Sequence, residues 1–318
     1  MTGPLLVMIA AGLWALDALL RTELTKTIPP AWIVTIEHAV GFAILAPFFI
    51  RSLPQLRKLG VGDWLIAITL TIVSSVAGTL MFTKALALSF ASYDFATPVL
   101  LQKMQPVFVI VLAAIFLRER LTFRYLILVP VTLVGSYLIS FGVGAVELVM
   151  TDKTLIYILA LGAAIAWGGG TILSKMMLKK LDFAAATALR FLLAVPIGML
   201  VAISINPDYS PAALSSEELI RFVIIAFTTG AGAVLIYYRG LTCTDAKVAT
   251  IAELTFPIVS IGIAASSLNP YGAPQVFTLA NSFGIIILLC AVVAISFDRI
   301  TQARELEPGV GPSARFEP

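Results

Sequence analysis

The sequence predicts an all-α integral membrane protein: ten transmembrane helices as two inverted five-helix repeats, with the N- and C-termini cytoplasmic. Three observations predict this. The composition is too apolar for a soluble core, the basic residues fall mainly on one side of the chain's alternating loops, and a nearly constant offset relates the two halves.

Of 318 residues, 59% are hydrophobic and only 12% charged, and the mean hydropathy is +1.00. Soluble domains carry about 45–50% apolar and about 25% charged residues. The bilayer is therefore the solvent. A net charge of +3 gives no reason to expect a nucleic-acid partner. Two cysteines, Cys243 and Cys290, make neither a disulfide framework nor a CxxC metal site, and His38 is the only histidine. No metal or cofactor is expected. The N-terminus has no basic segment and no small-residue cleavage site, so the first helix is expected to be retained.

A spanning helix needs about 20 mostly apolar residues. Ten windows qualify: Pro4–Leu20, Trp32–Ile50, Trp64–Phe82, Phe95–Leu117, Phe123–Phe141, Leu155–Met177, Ala184–Ile205, Leu219–Tyr238, Val248–Ser267 and Val276–Phe297. Turn and charge signals separate them, among them Pro29-Pro30, Arg118-Glu119-Arg120, Asn206-Pro207-Asp208 and Asn269-Pro270. The expected divisions are a first repeat over 1–152, a second over 153–297, and a disordered cytoplasmic tail over 298–318, rich in charge, Pro and Gly.

Basic residues set the orientation, because cytoplasmic loops hold an excess of them. Loops on the side of the N-terminus hold Arg51, Arg57, Lys58, Arg118, Arg120, Arg124, Lys175, Lys179, Lys180, Arg239 and Lys247, and the tail holds Arg299, Arg304 and Arg315. The opposite loops hold only Arg21, Lys26, Lys84, Lys153 and Arg221, while Lys103 and Arg190 lie inside helices. Miscounting one helix would scramble this bias, so the bias also supports ten.

The halves repeat. An offset of 153 places Trp14 on Trp167, Ala10-Ala11 on Ala163-Ala164 and Ile36-Glu37 on Leu189-Arg190. An offset of 155 places Leu80 on Leu235 and Lys84 on Arg239, and one of 151 places Pro106 on Pro257. Five helices per half is an odd number, so the second half enters from the opposite side. Inverted repeats of this kind build many secondary transporters.

These features resemble the drug/metabolite transporter superfamily, EamA-type branch. The resemblance is carried by Leu101-Gln102-Lys103-Met104-Gln105-Pro106-Val107-Phe108, by the closing Leu117-Arg118-Glu119-Arg120-Leu121, and by Leu254-Thr255-Phe256-Pro257-Ile258-Val259 in the second half. It implies a secondary transporter working by alternating access in a bacterial cytoplasmic (inner) membrane, as a monomer or homodimer. The first expectation is an exporter of a small polar or zwitterionic metabolite such as an amino acid. The alternative is an importer or exchanger of a nucleoside-, vitamin- or sugar-like solute. The second half departs from the pattern, with Ser267-Leu268-Asn269-Pro270 where a glutamate is expected.

Charged side chains cost roughly 2.5–3.5 kcal/mol at the bilayer centre, which makes them functional candidates. Glu37 and Arg190 hold equivalent positions with opposite charge, so they are candidates for an ion pair, either a packing device or a gate. Pro106 and Pro257 free the carbonyls of Gln102 and Glu253, and irregular helix at membrane depth belongs beside protein or a wet cavity. The candidate substrate-binding residues are Trp14, Gln102, Lys103, Trp167, Tyr238 and Glu253. Lys103 would take a carboxylate, Glu253 an amine or a proton. The competing reading is two kinked packing helices with Lys103 snorkelling to an interface. Asp17, His38 and Glu253 are candidate proton carriers; Asp17 shares a helix face with Trp14. Gly168-Gly169-Gly170 and Gly230 with Gly232 read as close-packing scaffold. No GxxxxGK[ST] loop is present, so energy is expected from a gradient, protons included, or from exchange. An intramembrane enzyme would need paired aspartates, a Ser/His pair or a metal cluster, and a non-transporting scaffold or sensor would leave the repeat and buried charges without use.

Overall fold

A computed structural model of the chain describes residues 2–92, 98, 101–119, 123–141, 143, 154–269, 274, 276 and 278–305. All regular structure among them is helical. The reason is the solvent: in hydrocarbon every backbone polar group must be paired internally, and a helix does so within one segment.

The elements are α1 (Thr2–Leu24), α2 (Pro30–Leu56), α3 (Val61–Leu70), a π-helical stretch (Thr71–Gly78) and α4 (Thr79–Ser92). Next come α5 (Gln105–Leu112) with a π-helical end (Ala113–Leu117), α6 (Phe123–Phe141), α7 (Thr154–Met177) and α8 (Phe183–Ile205). A 3-10 turn (Pro211–Ala213) leads to α9 (Ser216–Phe227), α10 (Ala231–Thr242), α11 (Ala246–Ala252), α12 (Thr255–Ala264) and α13 (Leu279–Glu305). Local signals set the boundaries. Asp182 accepts the Ala185 N–H at the start of α8, and Ser215 with Glu218 forms a reciprocal capping box at the start of α9.

Among the described residues, seven helical runs are long and apolar enough to cross a membrane: Gly3–Leu24, Pro30–Leu56, Val61–Ser89, Thr154–Met177, Phe183–Ile205, Ser216–Thr242 and Ala246–Ile263. Three shorter apolar helices, Gln105–Leu117, Leu126–Ile139 and Leu279–Ala291, fall on the remaining predicted windows. Their outer faces are apolar and bare: Leu65, Ile115, Phe123, Leu200 and Phe227 are all exposed. Part of the fourth window lies outside the described residues, as do the 152/153 boundary, Arg120, Lys153 and Arg315.

Three expectations change. α13 runs through Asp298 to Glu305, so the first part of the expected disordered tail is helix. Arg21, assigned to a loop, is in the last turn of α1 and buried. The expected proline kinks are breaks. Lys103-Met104 and Glu253-Leu254 are turns, and new helices start at Gln105 and Thr255, which puts Pro106 and Pro257 in first turns where proline costs no hydrogen bond.

Helices α2 and α8 pack antiparallel. Trp32 Nε1 donates to the Asn206 carbonyl (3.3 Å) at one end, and Gln55 Nε2 donates to Asp182 (2.5 Å) at the other. Between them Gly198 faces Thr35 and Gly41 faces the Phe191 ring. α1 packs on α10 and α12, α7 on α4 and α5, and α13 on α6. Glu119, from the closing motif, accepts the backbone N–H groups of Ala246 (2.9 Å) and Lys247 (3.2 Å), so the end of α5 caps the start of α11. Arg118 makes that turn at φ 54°, the one non-glycine residue in the left-handed region among those described.

Candidate transport cavity

A cavity with about 1030 Å³ of empty space, open solvent at its mouth included, lies among α1, α2, α4, α5, α7, α8, α10 and the breaks before α5 and α12. Trp14, Asp17, Glu37, His38, Gln102, Lys103, Trp167, Arg190 and Glu253 all line it. Tyr238 is the exception. It is fully buried behind the wall, and Tyr237 takes its place. One residue turns a helical side chain by about 100°, so the tyrosine pair could face the cavity with only one ring.

The breaks supply the floor. Gln102 Nε2 donates to Gln105 Oε1 (3.0 Å), Gln105 Nε2 donates to Glu253 Oε2 (2.9 Å), and the Tyr237 hydroxyl donates to Glu253 Oε1 (2.8 Å). Glu253 is thus held across the two broken helices. Lys103 is 6% exposed and places Nζ over the Phe256 ring, 3.6 Å from its centre. Trp14 packs against Tyr237 (centroids 5.1 Å apart) and Trp167 against Phe82 (5.3 Å), which gives the cavity aromatic walls.

Glu37 and Arg190 do not pair. With Thr35 opposite Gly198 and Gly41 opposite Phe191, Glu37 stands about six residues from the level of Arg190, roughly 9 Å at 1.5 Å per residue. Each has nearer partners. Glu37 Oε2 accepts from Arg21 (2.8 Å), which also pairs with Asp17. Asp17 accepts from Thr229 (2.6 Å), and Arg21 reaches Thr83 (3.4 Å). Arg190 instead donates to three hydroxyls: Ser75 (2.5 Å), Ser74 (2.9 Å) and Tyr238 (3.0 Å). Tyr238 also bonds Ser174 (2.7 Å). No carboxylate among the described residues pairs with Arg190. His38 has its ring against Phe191 (4.8 Å) and its Nδ1 2.7 Å from the Val34 carbonyl.

The offsets read from the sequence map one of these corners onto the other. An offset of 153 carries Asp17, Arg21 and Glu37 onto Gly170, Ser174 and Arg190; 155 carries Ser74, Ser75 and Thr83 onto Thr229, Gly230 and Tyr238. The contacts correspond: Arg21–Thr83 with Ser174–Tyr238, Asp17–Thr229 with Gly170 against Ser74, and Glu37 beside Gly230 with Arg190 on Ser75. The π-helical stretch brings Ser74 and Ser75 to the same guanidinium, and π-turns concentrate at functional sites. It comes that close because Gly170 has no side chain: a Cβ there would collide with Ser74. The scaffold reading of Gly170 therefore holds.

Arg21, Gln105, Thr229 and the two serines were not singled out in the sequence. Arg21 had a signal, since it follows Asp17 by four residues and so shares its helix face; Gln105 likewise follows Gln102 by three. The serines had none, because their position depends on the π-turn. Among the described residues, no three His, Cys, Asp or Glu side chains converge as metal ligands would.

The model of the EamA-like transporter family matches residues 1–141 and 154–297. A riboflavin transporter, ImpX, of Fusobacterium nucleatum is 36% identical over 263 residues, which cover 81% of this chain and 87% of that protein. A crystal structure superposes with a TM-score of 0.71 over 96% of this chain and 98% of its own, at 18% identity, a likeness of fold alone.

Proposed function

The chain belongs to the EamA-like transporter family, non-enzymatic multi-pass membrane proteins, and from that premise we propose that it imports or exchanges riboflavin or a closely related vitamin-like solute. The observation that carries this reading is the cavity wall. Trp14, Phe82, Trp167, Tyr237 and Phe256 bring aromatic side chains to the wall that a planar heterocycle would meet, and polar groups stand between them. Aromatic contacts add about 0.5–1.5 kcal/mol per pair beyond their burial. The ImpX relative, named for riboflavin, favours the vitamin-like solute over the amino-acid exporter.

In this reading the seven long runs and three short apolar helices make ten crossings, in two inverted halves with both termini cytoplasmic. The packing supports it. The first crossing meets the eighth and the third meets the sixth, while second meets seventh, fourth meets ninth and fifth meets tenth. Exchanging the halves turns this set into itself. Helix breaks at the membrane midplane are where such transporters hold their solutes. Energy comes from exchange or a gradient, and Asp17, Glu37, His38 and Glu253, all on the cavity wall, are the groups that would carry a proton. The expected location is a bacterial cytoplasmic membrane.

Riboflavin binding by the purified full chain should quench flavin fluorescence, and proteoliposomes should accumulate labelled riboflavin. Accumulation of labelled amino acids with no riboflavin binding would restore the exporter reading.

A further inference from the structure

The two corners of the cavity leave complementary polar groups unspent. Glu37 Oε1 faces Gly230, which has no side chain to offer it, and no donor reaches it among the described residues. Arg190 spends three of its five N–H groups on hydroxyls, which leaves two. Lys103 has a ring face beneath it and no hydrogen-bond acceptor among the described residues. All three line the one cavity, and Glu37 and Lys103 are more than nine-tenths buried. Protein design rarely leaves buried polar groups idle unless something else satisfies them.

The corners also differ in charge. Two carboxylates around Arg21 leave the first corner net negative; Arg190 among hydroxyls leaves the second net positive. The register of α2 on α8 sets Glu37 and Arg190 roughly 9 Å apart along the helix axes. A neutral solute with acceptors at one end and hydroxyl donors at the other would complement the two corners.

On the reading of a flavin-like solute, we infer that Glu37 and Arg190 hold its opposite ends. The planar Arg190 fork takes two neighbouring acceptors of the ring, nitrogen 5 and the 4-carbonyl oxygen, a geometry that lysine cannot supply. Glu37 Oε1 accepts from a hydroxyl of the polyol chain. The two opposite charges are joined by the solute and not by each other.

The test compares riboflavin with lumiflavin, which has the same ring and a methyl group in place of the polyol, by fluorescence quenching on the detergent-solubilised full chain. Hydrogen bonds to charged groups are worth roughly 10- to 100-fold in affinity. Glu37→Gln, which keeps the bulk and an acceptor for Arg21, should weaken riboflavin about tenfold and leave lumiflavin unchanged. Arg190→Lys should weaken both ligands by a similar factor, about tenfold or more. On the unaltered protein, 5-deazariboflavin, in which the ring-nitrogen acceptor beside the 4-carbonyl is a C–H, should bind about tenfold more weakly than riboflavin. This arm does not depend on how a variant folds. Equal loss of both ligands in Glu37→Gln, or undiminished binding of 5-deazariboflavin, overturns the assignment. Unaltered protein that binds neither flavin overturns the solute reading itself, and the bridge with it.

Discussion

The corner built by Asp17, Arg21 and Glu37 and the corner built by Gly170, Ser174 and Arg190 share a backbone plan and differ in chemistry. The same offsets relate their residues, and the same pairs of positions touch. In the first corner a guanidinium sits between two carboxylates. In the second a guanidinium sits among neutral hydroxyls. Backbone geometry is set by helix packing, which tolerates many side chains; the charge at each corner is set by single residues. A repeated scaffold can therefore enclose an asymmetric site, as an asymmetric solute requires.

The largest test of that contrast is to remove each guanidinium. Arg21→Leu strands the buried Glu37 carboxylate beside the half-buried Asp17 carboxylate, and breaking a buried pair costs about 3–5 kcal/mol. Arg190→Leu strands only hydroxyls, which can rotate toward one another or toward water in the cavity, so the loss should stay near 1–2 kcal/mol, on the order of one or two net hydrogen bonds. Thermal unfolding in detergent reads both. Equal losses would mean that the two corners are energetically alike.

A smaller effect probes how the second corner is assembled. Gly170→Val drives a side chain into Ser74, and overpacking of this kind costs about 1–3 kcal/mol. It should also weaken solute binding, because Ser74 and Ser75 move together on the π-turn beneath Arg190. Gly169→Ala meets open space and should shift stability by less than about 0.5 kcal/mol. If the two substitutions behave alike, the close approach of α7 to the π-turn is not what aims the serines.

The smallest expected effect makes the corners more similar. Ser75 occupies the place that Gly230 holds beside Glu37, so Ser75→Ala removes from Arg190 a partner that Glu37 never had. A loss of about 1 kcal/mol in unfolding free energy is expected, one hydrogen bond's worth. A neutral result would show that the cavity already hydrates the guanidinium.

Much of this was legible in the residues. Asp17, Glu37, His38, Lys103, Arg190 and Glu253 stand out because charge inside an apolar run is expensive, and all six line the cavity. The paired prolines marked both helix breaks, and the offset marked which positions correspond. The tyrosine facing the cavity was misjudged by one residue, since aromatic identity does not reveal helical phase where two tyrosines adjoin. The partner of Glu37 was misjudged because equivalence in a repeat was read as proximity. In an antiparallel pair of helices, equivalent residues near the two starts lie at different heights.

The sequence by itself determined the solvent, the helices, the correspondence of the halves and the residues that had to face away from lipid. Each of these follows from the cost of exposing backbone or charge to hydrocarbon, a cost paid segment by segment. Only the tertiary structure decided that Arg21 neutralises Glu37, that the π-turn serves Arg190, and that Tyr237 rather than Tyr238 reaches the cavity. Those outcomes depend on helix register and local winding, where a few ångströms change which polar atoms meet, and no composition or spacing along one segment records how a neighbouring helix is placed against it.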